Sequence, residues 1–303
     1  MVGLPASEVR VPSSENRKVL VYDVGGSHVS AAVCHADGYR LGAVASAPHP
    51  AEATSEAFVG LLHALGSQAN SDGQPLLGAG LAMPGPFDYA AGISAMRHKL
   101  PYLFGVDLRA ALSARFGWQP AQVRFLNDAA AYLLGEVGAG AARDFSRAVA
   151  ITLGTGIGCA FGVDGRVATE GKGVPPGGEI WNMPYEGKTV EDYLSTRALQ
   201  KSFRERTGKQ SEVAAIAAAA AAGDAVAGEV FAEFGRTLGR ALRLLLSEFA
   251  PQVVVLGGGI ARSSQLFITA AMLELDGLNM NLRITELGDR APLAGAGLDW
   301  FAS

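Results

Sequence analysis

Apolar residues form two similar series of short strands, one near the start of the chain and one in its middle. The first series starts at Lys18 and runs through KVLVYDVGG, HVSAAVCHA and LGAVASA, with glycines after the first strand and Asp37-Gly38 at the next turn. The second, RAVAITLGTGIGCAFGVDGRVA, again has glycines after an apolar strand and an Asp-Gly pair at the following turn. Two similar units in the same order predict two similar lobes.

Helical spacing follows the first series of strands. The segment SEAFVGLLHALGSQA places apolar residues on one helical face, and VDLRAALSARFG predicts a second helix that stops at Gly117. The strand VRFLND and the helix AAAYLLGEVGAG come next, so Asp128 lies at a strand-to-helix junction. Strands that alternate with helices in this way predict an α/β fold.

The pattern after the second series is mainly helical. Residues 211–250 are Ala-rich with helical spacing, interrupted near Gly223-Asp224, and they precede the apolar strand PQVVVLGGG. Low complexity in this segment therefore indicates helix rather than disorder. A helix around IARSSQLFITAAMLEL, a strand within LNMNLRITEL and the final APLAGAGLDWF complete the chain.

The length of 303 residues suits two domains, each large enough to bury its own core. We predict an N-terminal lobe over residues 18–127, joined by a C-terminal helix at 292–303, and a C-terminal lobe over 128–291. Residues 1–17 are polar and punctuated by Pro and Ser, which predicts a flexible tail. Such a tail is too short to supply a DNA-binding helix-turn-helix.

Composition narrows the class of protein. A hydrophobic share of 49% with 18% charged residues suits a compact soluble enzyme, and a net charge of −4 argues against nucleic acid as a partner. No segment has the apolar length of a signal peptide or a membrane span, so we expect a cytoplasmic protein without a membrane partner. The two cysteines, Cys34 and Cys159, lie in apolar strands and are expected to be buried free thiols.

Two glycine-rich turns are candidates for binding phosphate. In Gly25-Gly26-Ser27 and Gly154-Thr155-Gly156 the missing side chains let backbone N–H groups approach an anion, and each turn adds a hydroxyl. One such turn alone is more often an ordinary tight hairpin. Two in corresponding places favour the phosphates of a nucleotide.

Two further features fit a nucleotide with its metal. Asp23 ends the strand before the first turn, where a carboxylate can hold hydrated Mg²⁺, although a local turn cap is the competing interpretation. The cluster Gly257, Gly258 and Gly259 follows an apolar strand and precedes a helix, which suits close approach of a ribose or adenosine. The sequence therefore predicts ATP and Mg²⁺ as cofactors.

Asp128 is the candidate catalytic base. Asn127 and Asp128 end an apolar strand opposite an Ala-rich helix, where small neighbours admit a ligand and can partly desolvate a carboxylate. Desolvation moves the pKa of a carboxyl group toward working pH, as a base that deprotonates a hydroxyl requires. The alternative is that Asp128 caps the helix starting at Ala129, which is compatible with catalysis.

Planar polar groups near this junction predict a site for a polyol. Sugars are recognised by bidentate hydrogen bonds from such groups, which Asn127, Asp128, Glu179 and Glu191 can supply. The stiff turn Pro84-Gly85-Pro86 adds Gly85 to the set. The alternative for Glu179 and Glu191 is that they are surface carboxylates.

Six segments in order, DVGGSHVSAAV, PGP, FLNDAAAYLLGE, ITLGTGIGCAFGVDGRV, GGEI and VVVLGGGIA, resemble the motifs of the ROK family of sugar kinases and repressors. The resemblance covers nearly all of residues 18–303. It implies an actin-like, ribonuclease H-like fold with two lobes and duplicated mixed sheets, which close over ATP-Mg²⁺ and a hexose. It further implies a homodimer, with Asp128 as the catalytic base.

The chain departs from the family pattern around the sugar. The family's Cys-rich zinc motif is missing, so no zinc site is expected. Trp181 and Asn182 stand where Gly and a sugar-contacting His are usual, while Glu191 matches a sugar-contacting Glu. Lys99 replaces a usual sugar-contacting Asn and is expected to pair with a nearby carboxylate or to favour an anionic sugar.

The resemblance leaves three functions open. The first is ATP-dependent phosphorylation of a hexose, or of an amino, N-acetyl or acidic sugar. The second is a non-catalytic sugar-sensing regulator, which the short N-terminal segment disfavours. The third is another actin-like ATP user, such as an acyl or polyol kinase, which the pairs Asn127-Asp128 and Gly178-Glu179 disfavour.

Overall fold

The computed structural model describes residues 17–37, 39–50 and 52–302. The predicted tail therefore lies outside the described residues as far as residue 16. Gly38 of the first predicted Asp-Gly turn and residue 303 of the predicted C-terminal helix also lie outside them. The chain forms two five-stranded sheets with helices packed on them.

The first sheet has the strand order β3-β2-β1-β4-β7. Its strands are β1 (Lys18–Val24), β2 (His28–His35), β3 (Ala45–Pro48), β4 (Ala79–Met83) and β7 (Val123–Asn127), and the hairpin β5 (Phe87–Asp88) and β6 (Ile93–Ser94) lies between the last two in sequence. Strands β1, β2 and β3 are antiparallel, whereas β4 runs parallel to both β1 and β7. Helices α1 (Ser55–Ala69) and α2 (Leu108–Phe116) complete this part of the chain.

The second sheet repeats this arrangement as β10-β9-β8-β13-β14. Its strands are β8 (Arg147–Leu153), β9 (Ile157–Val163), β10 (Arg166–Ala168), β13 (Val253–Gly257) and β14 (Asn281–Ile284), with a separate hairpin of β11 (Pro184–Tyr185) and β12 (Lys188–Thr189). The first three are antiparallel and the last two are parallel to their neighbours. The same order and directions in both sheets confirm the predicted duplication of a mixed sheet.

Seven helices accompany the second half among the described residues. They are α3 (Asp128–Ala139), α4 (Thr196–Thr207), α5 (Val213–Ala221), α6 (Ala225–Leu246), α7 (Gly258–Ala261), α8 (Ile268–Glu274) and α9 (Ala291–Ala302). The Ala-rich segment breaks at residues 222–224, and α2 ends at Gly117 in a left-handed conformation, both as predicted. No single described helix is long and apolar enough to cross a bilayer, and only the pair α5 and α6, bent by 113°, meets that length and composition.

The helix predicted around residues 260–275 is wrong as one element. It is divided into α7, a single 3₁₀ turn and α8, because Phe267 leaves the helical region at φ −135°. Phe267 is buried and packs edge-on against Phe234, with ring centroids 5.4 Å apart. Burial of one aromatic ring thus takes precedence over local helical spacing.

Helices α3 and α9 lie against each other between the two sheets. Leu133 of α3 packs with small residues of the second sheet, and Leu293 of α9 packs with Val19 and Val21 of the first. Gly135 and Gly295 let the two backbones touch, because a Cβ at either position would overlap a carbonyl oxygen of the other helix. The two sheets are therefore connected by main-chain contact between these helices.

Candidate active site

Parallel strands bring the predicted acidic residues to one edge of the first sheet. Asp23 of β1 lies opposite Ala82 of β4, and Met83 lies opposite Asn127 of β7. The carboxyl ends of these strands therefore meet at the same edge, where α3 begins with Asp128.

Asn127 is the N-cap of α3, so the alternative interpretation of Asp128 as the cap is wrong by one residue. Its Oδ1 accepts hydrogen bonds from the N–H groups of Ala129 and Ala130 at 3.0 and 3.1 Å. Its Nδ2 donates to the hydroxyl of Tyr89 at 3.1 Å, and that hydroxyl donates to Met83 O at 3.2 Å. The Asn127 side chain thereby fixes the start of the helix that carries Asp128.

Asp128 occupies the first turn of α3 as a half-buried carboxylate. Its Oδ1 accepts a 2.8 Å hydrogen bond from the N–H of Ala129. Burial raises the pKa of Asp128 above its ordinary value and repulsion from Glu179 adds to the increase, whereas the nearby charge of Lys99 lowers it. These are the surroundings expected of a carboxylate that accepts a proton.

Asp23 is a second carboxyl group of the site with a raised pKa. Burial raises the pKa of Asp23 to about 7, with further contributions from repulsion by Asp128 and Asp289. Asp289 belongs to the segment before α9 and forms an ion pair with Arg262. Three carboxylates thus interact across the edge of the cleft, and a cation bound there would relieve their repulsion.

The first glycine turn joins β1 to β2. Gly25 N–H donates to His28 O at 3.0 Å, and Gly26 and Ser27 are exposed. The hydroxyl of Ser27 lies 3.0 Å from Nδ1 of His28. His49, directly after β3, holds the turn from the side by two hydrogen bonds to carbonyl oxygens of Gly25 and Ser27.

The second glycine turn joins β8 to β9 in the same way. Gly154 N–H donates to Gly156 O at 3.0 Å, and Thr155 is exposed. Glu191 packs against this turn, where its Oε2 accepts from Ile157 N–H at 3.2 Å, while Oε1 pairs with Arg197 at 3.2 Å. The predicted sugar ligand Glu191 therefore lies beside the second glycine turn.

The third glycine cluster lies beside the second turn. Gly257 ends β13, and Gly258 has a φ of +81° and packs closely on the backbone of Leu153, just before Gly154. A Cβ at Gly257 would overlap the hydroxyl of Tyr132 on α3. Gly259 is exposed with open space around its Cα. Two of the predicted nucleotide-binding segments are thus neighbours at the end of the second sheet.

A cavity of about 520 Å³ opens beside Asn127. Gly85 and Glu179 also line it, and Phe125, Leu134 and Phe161 are among its apolar walls. Lys99 and Asn182 are exposed and are not among its lining residues. Lys99 is nevertheless near enough to Asp128 for its positive charge to lower the pKa of that carboxyl group. Three of the predicted sugar ligands are therefore brought together here, next to Asp128 in sequence.

Trp181 contacts one of these ligands. Its indole Nε1 donates to Oε2 of Glu179 at 2.7 Å, while the residue as a whole remains 43% exposed. The backbone N–H of Glu191 donates to Trp181 O at 3.1 Å. Trp181 therefore links the cavity residue Glu179 to the segment that touches the second glycine turn.

The metal and thiol predictions have different outcomes. Cys34 and Cys159 are both buried and free, as predicted, and burial raises the pKa of Cys34 to about 12. Within residues 17–37, 39–50 and 52–302, no three His, Cys, Asp or Glu side chains are grouped to hold a metal ion. Binding of Mg²⁺ through water at Asp23 and the lack of a zinc site stay predictions.

Sequence reasoning missed four residues of the site: Tyr89, which holds Asn127; His49, which holds the first turn; Asp289, which faces Asp23; and Tyr132, which backs Gly257. Each acts on a residue distant in the chain, so local patterning gave no signal for it. Only the prolines on either side of His49 are a local signal, with Pro48 as the last residue of β3 and Pro50 after it.

The paired mixed sheets, with glycine turns and carboxylates at their edges, form an actin-like fold. The sequence model of the ROK family matches residues 19–298 of this chain. The chain therefore belongs to the ROK family. Both the predicted family and the predicted actin-like α/β fold are thereby confirmed.

Individual relatives are consistent with this assignment. A glucokinase of Thermotoga maritima is 30% identical over 219 residues, covering 65% of this chain and 68% of its own. An N-acetyl-D-glucosamine kinase of Vibrio parahaemolyticus is 28% identical over 208 residues, covering 62% and 67%. The crystal structure of a ROK hexokinase from Thermus thermophilus is 29% identical with a TM-score of 0.78, covering 94% of this chain and 98% of that one.

Proposed function

We propose that this chain transfers the terminal phosphoryl group of ATP to a hydroxyl of a hexose or hexose derivative, with Asp128 as the general base. The observation that carries the proposal is the position of Asp128. Its half-buried carboxylate, with a raised pKa, lies at the edge of the first sheet, directly after the cavity residue Asn127 and within the electrostatic influence of Glu179. A carboxylate of this kind accelerates the reaction as a general base when it is ionised and within hydrogen-bond reach of the hydroxyl.

Asp128, Lys99 and Asn127 have separate roles at the sugar hydroxyl that accepts the phosphoryl group. The carboxylate accepts the proton of the attacking hydroxyl, and the positive charge of Lys99 favours the ionised form that this requires. Asn127 keeps the first turn of α3 in place through its hydrogen bonds to the helix and to Tyr89. The base is thus held by the helix N-terminus rather than by a flexible loop.

The nucleotide side of the proposal rests on the three glycine segments. Backbone N–H groups and the hydroxyls of Ser27 and Thr155 would bind phosphates, and Gly257, Gly258 and Gly259 would admit the nucleoside. Asp23 would hold hydrated Mg²⁺, and the repulsion among Asp23, Asp128 and Asp289 fits a cation at this place. When bound, the ion would neutralise charge on the phosphates.

The sugar side rests on the cavity. Gly85, Asn127 and Glu179 would contact hydroxyls directly, and Lys99, Asn182 and Glu191 would approach from the cavity's surroundings. Relatives named for glucose and for N-acetyl-D-glucosamine support a hexose or its N-acetyl derivative. Acidic sugars belong to the same proposal because Lys99 places a positive charge nearby. Amino sugars belong to it as hexose derivatives.

We also propose the larger organisation predicted from the sequence. The N-terminal lobe comprises residues 18–127 joined by the C-terminal helix at 292–303, whose Leu293 packs on the first sheet, and the C-terminal lobe comprises residues 128–291. A cytoplasmic homodimer is proposed from the family resemblance. Light scattering during gel filtration checks the dimer, because a monomeric mass contradicts it.

A coupled ADP-release assay with hexoses, amino sugars, N-acetyl sugars and acidic sugars tests the function, with mass spectrometry of the product. The variant Asp128→Asn keeps size and the bond to Ala129 but loses the base, so kcat is expected to fall by about 10²- to 10⁴-fold. Asp224→Asn is the matched control, because Asp224 caps α6 through Ala227 outside the cleft.

Three outcomes separate the candidate functions. Robust phosphorylation that disappears in Asp128→Asn supports the proposal. Full activity in Asp128→Asn contradicts the assigned base. Sugar binding without phosphoryl transfer to any sugar in the panel contradicts the kinase and supports the alternative, a sugar-sensing regulator.

A further inference from the structure

We infer that His49 is a positioning residue that couples the sugar-side loop at Lys99 to the first phosphate-binding turn. The inference rests on the proposed function, because it assigns a role within the same cleft. It is carried by four contacts that connect Gly25, His49, Tyr102 and Phe58.

The first contact fixes one peptide of the turn. Nε2 of His49 donates to Gly25 O at 2.8 Å, and His49 N–H donates to Ser27 O at 3.1 Å. In a planar trans peptide the C=O and the following N–H point in opposite directions. Since Gly25 O points to His49, the N–H of Gly26 points away from it, on the exposed side of the turn where an anion can approach.

The second contact follows from the chemistry of the imidazole ring. A backbone carbonyl only accepts, so Nε2 of His49 must carry a proton. In the neutral ring Nδ1 is then an acceptor, and the hydroxyl of Tyr102 lies 3.3 Å from it and donates. One ring thereby connects the Gly25 carbonyl on one side with the Tyr102 hydroxyl on the other.

Tyr102 connects the ring to the sugar side. It lies in the 3₁₀ turn Pro101–Leu103, three residues after Lys99. The positive charge of Lys99 is near enough to lower the pKa of Asp128. A displacement of the 97–100 loop on binding a sugar therefore moves the residue that donates to His49.

Phe58 makes the connection rigid. Its buried ring stacks with His49 at a centroid distance of 6.0 Å and packs against the edge of Tyr102 at 6.1 Å. The rings of His49 and Tyr102 both pack on the buried ring of Phe58 in α1. A displacement of one ring therefore disturbs the packing of the other. The three side chains form one unit between the two loops.

A merely structural role for His49 predicts a different result from coupling. If His49 only supports the turn, its loss changes nucleotide binding equally with and without sugar. If it couples the sites, its loss reduces the factor by which a sugar tightens nucleotide binding, and by linkage the reverse effect changes equally. The coupling factor, and not activity alone, is the readout.

The test compares three variants with the unaltered chain. His49→Phe keeps the ring on Phe58 but loses both side-chain hydrogen bonds, Tyr102→Phe loses only the bond to His49, and His49→Gln can restore a donor to Gly25 O. His63→Phe is the matched control, since His63 on α1 packs on Phe116 away from the cleft. Dissociation constants for the ATP analogue AMPPNP with Mg²⁺ are measured by calorimetry with and without the tightest-binding sugar.

We expect His49→Phe to weaken AMPPNP binding by about 10-fold and His49→Gln to recover most of that loss, as for one or two net hydrogen bonds. Tyr102→Phe should leave sugar-free AMPPNP affinity within about twofold while reducing the coupling factor at least threefold, roughly one hydrogen bond. His63→Phe should change neither value. Thermal midpoints, measured in parallel, show that each variant is folded.

Several results would overturn the inference. An unchanged coupling factor in folded His49→Phe and Tyr102→Phe would do so, as would the absence of any sugar effect on AMPPNP affinity in the unaltered chain. Because binding is measured apart from turnover, a chain that binds nucleotide and sugar with coupling but transfers no phosphate contradicts the proposed function alone.

Discussion

The indole of Trp181 and the carboxylate of Glu179 form a hydrogen-bonded pair at the cavity, with Nε1 donating to Oε2 at 2.7 Å. One oxygen of Glu179 is thereby occupied, and in the proposed function the other accepts from a sugar hydroxyl. The orientation of Glu179 in this chain consequently depends on a residue that stands where the family usually has glycine.

The variant Trp181→Phe tests this dependence. It keeps an aromatic ring but loses the donor, so we expect the KM for the sugar to rise by about 3- to 10-fold with a smaller change in kcat. Steady-state kinetics with saturating ATP measure both. Trp300→Phe is the control, because its indole also donates, to Gln122 O at 3.3 Å, at the opposite end of β7. Equal effects of the two variants would refute the role of Trp181.

The acid side of the pH–rate profile should report Asp128. Its pKa is raised in the folded protein, and a base must be ionised, so kcat/KM falls as the pH decreases through a value above that of an ordinary aspartate. Since Lys99 lowers this pKa, Lys99→Met should move the acid limb to higher pH. Lys201→Met on α4, whose lysine pairs with Glu205, should leave the limb in place. A shift to lower pH in Lys99→Met would be the wrong sign for this interpretation.

Removal of Mg²⁺ should abolish phosphoryl transfer and weaken AMPPNP binding. Asp23→Asn is expected to lower kcat by at least about 10-fold and to require more Mg²⁺ for half-maximal rate, because it removes the carboxylate proposed to hold the hydrated ion. Titration with Mg²⁺ in chelator-treated buffer measures both. Asp144→Asn, an exposed position, serves as control. An unchanged Mg²⁺ requirement in Asp23→Asn would exclude Asp23 as the residue that holds the ion.

The contact between α3 and α9 gives a prediction for stability. A Cβ at Gly295 would overlap the carbonyl of Ala131, so Gly295→Ala should lower the free energy of unfolding by about 3 kcal/mol, in the range of overpacked cores. Gly60→Ala in α1 has no atom within 4 Å of its added Cβ and should be neutral or stabilise by about 0.5 kcal/mol. Urea unfolding measures both, and equal stabilities of the two variants would show that the helices separate without cost.

Local patterning predicted the elements that carry their own signals. The helix α1 has the predicted bounds, Gly117 ends α2, and the repeated glycine turns anticipated the repeated sheets. Asp23 and Asp128 are brought to one edge because β4 pairs in parallel with both β1 and β7, as is typical of strands that alternate with helices. These features depend on periodicity and turn chemistry within a few residues, which a single sequence contains.

Features that depend on distant residues could not be predicted in this way. The capping of α3 by Asn127 is local, but its bond to Tyr89 spans 38 positions, and the pairing of Arg262 with Asp289 spans 27. The break at Phe267 results from burial against Phe234 of another helix. Such contacts arise only when the sheets and helices have packed.

The backbone contact between α3 and α9 has a consequence for how this site tolerates mutation. Side-chain cores change their spacing when residue volumes change, but Gly135 and Gly295 set the distance between the helices by main-chain atoms alone. Asp128 stands on α3, and Leu293 of α9 packs on the sheet that carries Asp23. Substitutions in the apolar cores around α3 and α9 can therefore accumulate without a change in the spacing of Asp23 and Asp128.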